Sequence, residues 1–139
     1  MKFKSTPILA VFMLSCLFIS CEKAEQFIQK AVLTQIITTD RWGVEAFTVS
    51  GADVTTEYNG YEFEFNKNGI VTAFEATSTM QGDWKEDIQA LSIQTNFSNP
   101  NAVLARFNNV WYISKSAATF VEARAITPNG IFYLKLIKK

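Results

Sequence analysis

The segment that most restricts the possible folds of this chain is Tyr61-Glu62-Phe63-Glu64-Phe65, in which aromatic and acidic residues alternate. Successive side chains of a β-strand point to opposite faces, so this segment predicts a strand with three rings on one face and two carboxylates on the other. Residues typical of turns recur on both sides of it, at Gly51-Ala52-Asp53, Asn59-Gly60, residues 66–69 and Pro128-Asn129-Gly130. The pattern predicts a series of short antiparallel strands.

Alternation of apolar and polar residues between these turns predicts eight strands, joined mostly by connections of hairpin length. Their expected ranges are 42–50, 60–66, 69–77, 80–86, 89–95, 109–116, 119–127 and 131–138. Strands that follow one another in sequence order favour an all-β, antiparallel up-and-down barrel over a sandwich, because closure removes the exposed sheet edges. An eight-stranded barrel is either filled by side chains or holds one small ligand.

Two segments outside the strands are expected to be helical. Apolar residues spaced close to 3.6 apart predict a short amphipathic helix within residues 22–38. It is expected either to lie across one end of the barrel or to serve as a tether. In the connection from Phe97 to Asn108, Asn99-Pro100-Asn101 can start a one-turn helix that contains Val103, Leu104 and Phe107.

The first 20 residues have the layout of a secretory signal peptide. Lys2 and Lys4 precede a run without charge from Pro7 to Ser20, and charge returns at Glu22. A membrane-spanning helix needs roughly 20 apolar residues, so a permanent span is the less favoured alternative.

The end of this run, Phe18-Ile19-Ser20-Cys21, resembles a bacterial lipobox. The resemblance implies that Cys21 receives a diacylglyceryl group and becomes the N-terminus after cleavage. Cys16 fits the same loose pattern, but cleavage there would leave apolar residues exposed. The alternatives are that both cysteines are ordinary signal-peptide residues or, least favoured, that they form a disulfide.

The expected organisation is therefore a lipoprotein signal peptide at 1–20, a lipid-anchored tether with a short helix at 21–39, and the barrel at 40–139. Because two or three acyl chains hold a protein stably on a membrane, we expect the protein to reside in the cell envelope, at the outer membrane. The membrane is the one partner that this organisation predicts.

Composition excludes several functional classes. The chain has no histidine, which rules out histidine-dependent triads, histidine metal sites and imidazole proton shuttles. Removal of Lys2 and Lys4 from 13 basic residues leaves 11 against 13 acidic ones, a formal net charge of −2. This balance argues against a nucleic-acid partner.

Few residues are candidates for catalysis or metal binding. Glu62 and Glu64 share one strand face, but they are expected to face solvent. Asp83, Glu86 and Asp87 lack the spacing of a calcium loop and are expected to be a polar turn. Glu122 and Arg124 alternate with small residues, as on the exterior of a strand. We therefore expect no enzyme activity, no metal and no cofactor.

The more apolar face of each strand predicts the barrel interior. These residues are Trp42, Val44, Ala46, Tyr61, Phe63, Phe65, Met80, Trp84, Leu91, Ile93, Trp111, Ile113, Val121, Ala123, Ala125, Phe132, Leu134 and Leu136. Rings dominate, while the three alanines are too short to reach the axis, so both a ligand cavity and a solid core are compatible with this composition.

The order of motifs along the strands is similar to that of the lipocalin-like domains of Bacteroidota lipoproteins. The likeness covers about residues 40–139, and its motifs are Arg41-Trp42-Gly43-Val44, Gly51-Ala52-Asp53-Val54-Thr55, residues 58–69, Gly82-Asp83-Trp84, Leu91-Ser92-Ile93, residues 111–116 and residues 134–139. It implies a calycin-type barrel tethered to a membrane, with Trp42 closing one end. Asp40 stands where the glycine-X-tryptophan motif of classical lipocalins has glycine.

The leading functional expectation is an envelope lipoprotein whose barrel binds a small hydrophobic ligand. The residues expected to contact that ligand are Trp42, Phe63, Phe65, Trp84, Leu91, Trp111, Ala123 and Phe132. The alternative is a filled barrel that acts as a structural or protein-interaction module with no small-molecule ligand. A void of a few hundred Å³ that opens to solvent would favour the first, and continuous packing would favour the second.

Overall fold

The computed structural model describes residues 32–139. The expected signal peptide, Cys21 and the first part of the expected amphipathic helix lie outside the described residues. Residues 32–37 form helix α1, which agrees with the later part of that helix. None of the helices in residues 32–139 is both long and apolar enough to cross a membrane.

Nine strands follow α1, and eight of them close into a barrel. They are β1 (Arg41–Val49), β2 (Ala52–Asp53), β3 (Glu62–Phe65), β4 (Ile70–Glu75), β5 (Ser78–Asp87), β6 (Ser92–Phe97), β7 (Val110–Ala117), β8 (Phe120–Thr127) and β9 (Gly130–Lys138). All pairings are antiparallel, in the order β1-β3-β4-β5-β6-β7-β8-β9, and β9 pairs back with β1. The two-residue β2 extends β1 as a short hairpin. The expected eight-stranded up-and-down barrel with a short N-terminal helix is confirmed.

The hairpin between β3 and β4 illustrates how the turn residues set the register. Gly69 has φ +84°, a left-handed conformation that glycine adopts without a steric penalty. The Asn68 side chain accepts a hydrogen bond of 3.1 Å from the backbone N–H of Ile70. These contacts bring Phe65 opposite Val71 and Phe63 opposite Ala73, which places all four side chains in the interior.

The strand expected at 89–95 begins later, at Ser92. The carboxylate of Asp87 accepts hydrogen bonds of 2.9 and 3.0 Å from the backbone N–H groups of Gln89 and Ala90. Leu91 then adopts φ +52°, which is incompatible with a strand. The expectation that Leu91 points into the barrel was therefore wrong. It lies half-buried in the turn between β5 and β6.

The interior face of β1 also differs from the expectation, because the strand contains a β-bulge. The pairing with β9 shifts between Val44 and Ala46, so that Glu45 is an extra residue. A bulge of this kind reverses which residues face inward from that point onward. Phe47, fully buried opposite Leu134, replaces Ala46 as the interior residue. The expectation for Ala46 was wrong.

Helical segments cover both ends of the barrel. At one end, called here the helix end, α1 buries Leu33 and Ile37 above Trp42. The opposite end, the loop end, carries a 3-10 helix (Thr55–Tyr58) and the short helix α2 (Ala102–Ala105). The one-turn helix expected near Asn101 is confirmed as α2, but it ends at Ala105, so Phe107 lies beyond it. Asn101 is its N-cap, because its side chain accepts a hydrogen bond of 2.8 Å from the backbone N–H of Leu104.

Candidate functional site

Aromatic rings fill the barrel toward the loop end. Phe47 stacks on Tyr58 with ring centroids 4.8 Å apart, and Phe63 stacks on Phe107 at 4.2 Å. The ring of Trp111 lies edge-on to Phe47 at 5.7 Å. These separations are those of directly contacting aromatic pairs, so no ligand fits between the rings.

A void lies in the interior among Ile37, Phe65, Ile93, Trp111 and Ala123, and its volume is about 20 Å³. A cavity needs roughly 10–15 Å³ on this scale to hold one water molecule, whereas pockets for drug-sized ligands have about 300–1,000 Å³. As packed, the interior void has room for about one water and not for a fatty acid or a ring compound.

The polar atoms of the interior are already paired with the backbone. The indole N–H groups of Trp42, Trp84 and Trp111 donate to the carbonyl oxygens of Ile37, Asn66 and Phe107 at 2.9, 2.8 and 2.9 Å. The Thr95 hydroxyl also donates to the carbonyl oxygen of Phe107. Within residues 32–139, no buried side-chain nitrogen or oxygen lacks a partner. The interior therefore offers no free donor or acceptor to orient a ligand.

The structure brings seven of the eight predicted ligand-contacting residues together in the buried core: Trp42, Phe63, Phe65, Trp84, Trp111, Ala123 and Phe132. Three of them, Phe65, Trp111 and Ala123, border the interior void, whose volume of about 20 Å³ is too small for a drug-sized ligand. The eighth, Leu91, lies on a groove outside the barrel. A role of these residues in ligand binding stays a prediction.

Several core residues were absent from the predicted interior. Tyr58, Phe97, Leu104 and Phe107 are buried, and all but Phe97 come from the segments that cover the loop end. The apolar side chains of the predicted one-turn helix signalled Leu104 and Phe107. Nothing in the period-two pattern identified Tyr58, because it belongs to a 3-10 helix.

The predicted acidic clusters lie on the outside of the barrel. Arg41 forms ion pairs with Glu62 and Glu64 at 3.4 Å each. Both carboxylates therefore belong to an ion-pair cluster on the surface of the barrel. Asp83, Glu86 and Asp87 are exposed residues of β5, so the expectation of a polar turn was wrong. In the part of the chain that the structure describes, no three acidic or cysteine side chains are placed to hold a metal ion.

Tyr58 joins the two helical segments that cover the loop end. Its hydroxyl donates a hydrogen bond of 2.9 Å to the backbone carbonyl oxygen of Val103, which fastens α2 to the 3-10 helix. Burial raises the pKa of this hydroxyl well above its ordinary value. Nearby, Arg106 and Glu57 form an ion pair of 2.6 Å, and the hydrogen bond from Arg106 to Glu57 raises the pKa of the guanidinium.

The outer face of strands β7, β8 and β9, called here the β7–β9 wall, is the largest concentration of exposed apolar side chains in the described chain. Ile126 is 78% exposed, Ile131 57% and Tyr112 45%, whereas buried residues of the same strands alternate with them. Isolated exposed apolar residues are normal, but a contiguous patch marks interaction sites. The wall consists of Val110, Tyr112, Lys115, Ala117, Phe120, Glu122, Arg124, Ile126, Ile131, Tyr133, Lys135 and Ile137.

Charged residues of the wall lie in the middle of the apolar ones. Arg124 is flanked by Tyr112 on β7 and Tyr133 on β9, and neither it nor Glu122 forms an ion pair with another residue of the range 32–139. Arginine and tyrosine are enriched at the centres of protein interfaces. Within residues 32–139, Arg124 thus lies between two tyrosine side chains and has no ion-pair partner.

Two shallow grooves flank α1 at the helix end. One, of about 300 Å³, lies beside Leu33, Leu91 and Ile113, and the other, of about 430 Å³, lies beside Ile36 and Lys138. Both adjoin Val32, where the described part of the chain begins. They are surface features of the junction between α1 and the barrel.

Comparisons with known proteins address the fold. No protein-family model matches the sequence, and no curated protein matches it either. Among solved structures, the chain is similar to the crystal structure of a DUF4847 family protein from Bacteroides vulgatus ATCC 8482, with a TM-score of 0.60 and 15% sequence identity. The match covers 77% of this chain and 97% of the other. At this identity the likeness shows a shared barrel fold.

Proposed function

We propose that this protein is a lipid-anchored component of the cell envelope whose barrel works as a rigid protein-interaction module. The observation that carries the proposal is the packing of the interior, in which the void among Ile37, Trp111 and Ala123 has a volume of only about 20 Å³. A carrier needs a cavity of roughly 300 Å³ or more for a drug-sized ligand. We therefore favour the filled-barrel alternative over the small-molecule carrier.

The β7–β9 wall is the surface that we assign to this interaction. It combines exposed Ile126 and Ile131 with Tyr112, Tyr133 and Arg124, which has no ion-pair partner among residues 32–139. The closed barrel behind it is a suitable support, since a side chain on a continuous strand is positioned more precisely than one on a loop. The proposal includes no catalytic activity.

The subcellular location of the protein is proposed from the sequence alone. Cys21 at the end of the apolar run is the lipidation site, and ten residues, 22–31, separate it from the described domain, which begins at Val32. The first described residues lie at the helix end, so the tether leaves the domain there. Through this lipid the proposed location is the outer membrane.

Native mass spectrometry of the full chain, purified from membranes of its own host, separates the two functions. The expected mass is that of the acylated chain with nothing else bound. A reproducible additional mass of an apolar compound, also present on the full chain that carries Cys21→Ser, would show a carrier and overturn the interaction module.

Membrane fractionation tests the anchor independently of the barrel. The Cys21→Ser chain is expected to leave the membrane fraction, while the matched Cys16→Ser chain stays in it. Retention of Cys21→Ser on membranes would refute lipidation at Cys21.

A further inference from the structure

The outward side chains of each strand of the wall follow a similar order, with apolar residues at the two ends and charged residues or tyrosine between them. Outward residues of β8 read Phe120, Glu122, Arg124, Ile126 from the helix end to the loop end, so two apolar residues enclose an acid and a base. Reversing the direction of this row exchanges the acid with the base and leaves apolar residues at both ends. The row is therefore complementary to a reversed copy of itself.

The outward residues of β7 and β9 are also complementary to a reversed copy of the wall. In register with Glu122 lie Lys115 and Lys135, and in register with Arg124 lie Tyr112 and Tyr133. A reversed copy would set each lysine ammonium against a tyrosine ring, an arrangement that favours cation–π contact.

The outermost rows of the wall are apolar. Ile126 is paired with Ile131 at the loop end, and Phe120 is paired with Ala117 and Ile137 at the helix end. In the reversed arrangement these two apolar rows cover each other. The bulge in β7 after Ile113 keeps Lys115 in line with Glu122, so the charged row is straight across the three strands.

We infer that the partner of the β7–β9 wall is a second copy of this chain, bound face to face about a two-fold axis that crosses the strands at the level of Ala123. This inference rests on the proposed interaction function and names its partner. A two-fold interface brings the same patch of both subunits together, so its surface must complement itself. Arg124 of each copy pairs with Glu122 of the other, and both charges gain the ion-pair partner that they lack within residues 32–139.

The wall carries a small excess of positive charge, which weakens this contact. Lys115, Arg124 and Lys135 stand against one acid, Glu122, and Lys135 is already ion-paired with Glu45 at 2.7 Å, so each copy brings a net charge of 3 − 1 − 1 = +1. Twelve wall residues per copy are fewer than the 20–30 of a standard interface. The dimer is thus expected to be weak, and confinement to one membrane would promote it by raising the local concentration.

The two-fold axis is compatible with attachment of both copies to one membrane. With the axis along the membrane normal, both barrels lie on their sides with their helix ends, where the described chain begins, pointing in opposite directions.

Charge exchange between two tagged full-length chains, expressed together and cross-linked within the membrane before extraction and purification, tests the inference. Two wild-type chains are expected to co-purify. Arg124→Glu with itself places carboxylates opposite each other, and Glu122→Arg with itself does the same with guanidinium groups, so each is expected to lose at least tenfold in co-purification. Arg124→Glu expressed with Glu122→Arg is expected to recover it, because each interface pair is again oppositely charged. Glu64→Arg, on the opposite side of the barrel, is the matched control and is expected to co-purify like wild type.

The recovery in the mixed pair is the decisive result, because a variant that merely folds poorly could not rescue another. Failure of the wild-type chains to co-purify, or of the mixed pair to recover, would overturn the second copy as the partner. That failure would leave the proposed interaction module standing, which only a ligand found in the interior by native mass spectrometry would overturn.

Discussion

The indole N–H of Trp42 donates a hydrogen bond of 2.9 Å to the backbone carbonyl oxygen of Ile37, the last residue of α1. Both residues are fully buried, so this bond joins the end of the helix to the first barrel strand without competition from water. The backbone then turns back through Asp40, and the amide of Lys139 donates a hydrogen bond of 3.0 Å to the carbonyl oxygen of Arg41. The helix end is thus closed by contacts from both ends of the described chain.

Trp42→Phe tests the role of this bond. The carbonyl oxygen of Ile37 loses its donor, which costs about 1–3 kcal/mol of unfolding free energy for a buried group, and the smaller phenyl ring leaves a cavity that adds to this loss. Urea denaturation measures the loss, and hydrogen exchange is expected to show faster exchange at Thr38, whose amide bonds to Thr34 at 3.1 Å. Unchanged exchange at Thr38 would mean that α1 is held by packing alone.

The strands could be predicted from the sequence because their signal is local. Alternation and turn residues lie within each strand and its two ends, so seven of the eight barrel strands were placed close to their observed ranges. The bulge at Glu45 could not be predicted in this way, since Val44 and Ala46 continue the alternation of small apolar residues across it. Only the pairing with β9 shows that Phe47 takes the interior position.

The state of the interior could not be predicted because it depends on segments outside the strands. The alanines of β8 suggested a gap at the axis, but Tyr58, Leu104 and Phe107 come from the loop-end cover and occupy much of the space. The volume of the remaining void is the small difference between the volume that the barrel encloses and the volume of the side chains that fill it. No strand pattern determines that difference. The exterior position of Glu122 and Arg124 was predicted correctly, whereas their place in a self-complementary wall required the register of three strands.

The bulge predicts opposite outcomes at two adjacent residues. Phe47→Ala removes a fully buried ring and is expected to cost about 3–5 kcal/mol. Ala46→Glu places a charge on the outer face, opposite Lys135, and is expected to cost less than about 1 kcal/mol. Thermal and urea unfolding of both variants measure the difference. If Ala46→Glu unfolds the protein while Phe47→Ala is tolerated, the strand has no bulge at this position.

Ala123→Leu tests whether the interior is full. Ala123 borders the void of about 20 Å³, which is too small for the added atoms, so overpacking is expected to cost about 1–3 kcal/mol. Val121→Ile adds a single methylene next to the same void and is expected to change stability by less than about 1 kcal/mol. Stabilisation by Ala123→Leu would indicate a larger cavity than the packing of the described residues contains.

The residue before the first strand predicts a backbone effect. Asp40 has φ +61°, a conformation that costs most residues about 1–2 kcal/mol and glycine almost nothing. Asp40→Gly is therefore expected to range from neutral to about 1 kcal/mol more stable, and Asp40→Val to be clearly destabilising. Lys138→Met is the control, because it removes the 3.0 Å ion pair with Asp40 without altering the backbone. A loss in Asp40→Gly equal to that in Lys138→Met would assign the role of Asp40 to the ion pair instead.

The free energy of unfolding is expected to fall at alkaline pH because the hydroxyl of Tyr58 releases its proton more readily in the unfolded chain than in the folded state. Burial raises the pKa of its hydroxyl, so the folded state keeps the proton when the unfolded chain, with a tyrosine pKa near 10, begins to release it. The stabilisation is fully present below about pH 10 and is lost as pH rises further. Lys135, whose pKa is raised by its hydrogen bond to Glu45, acts in the same direction.

Tyr58→Phe distinguishes the contribution of Tyr58 to the alkaline loss of stability from that of Lys135. At neutral pH it is expected to be less stable by about 1–3 kcal/mol, because the carbonyl oxygen of Val103 loses its donor. Between pH 10 and 12 its unfolding free energy is expected to fall less steeply than that of the wild type, which urea titrations at stepped pH can measure. Between about pH 6 and 9 both curves are expected to be nearly flat, since the chain has no histidine to titrate there. Equal slopes above pH 10 in the two proteins would exclude Tyr58 as the cause of the alkaline loss.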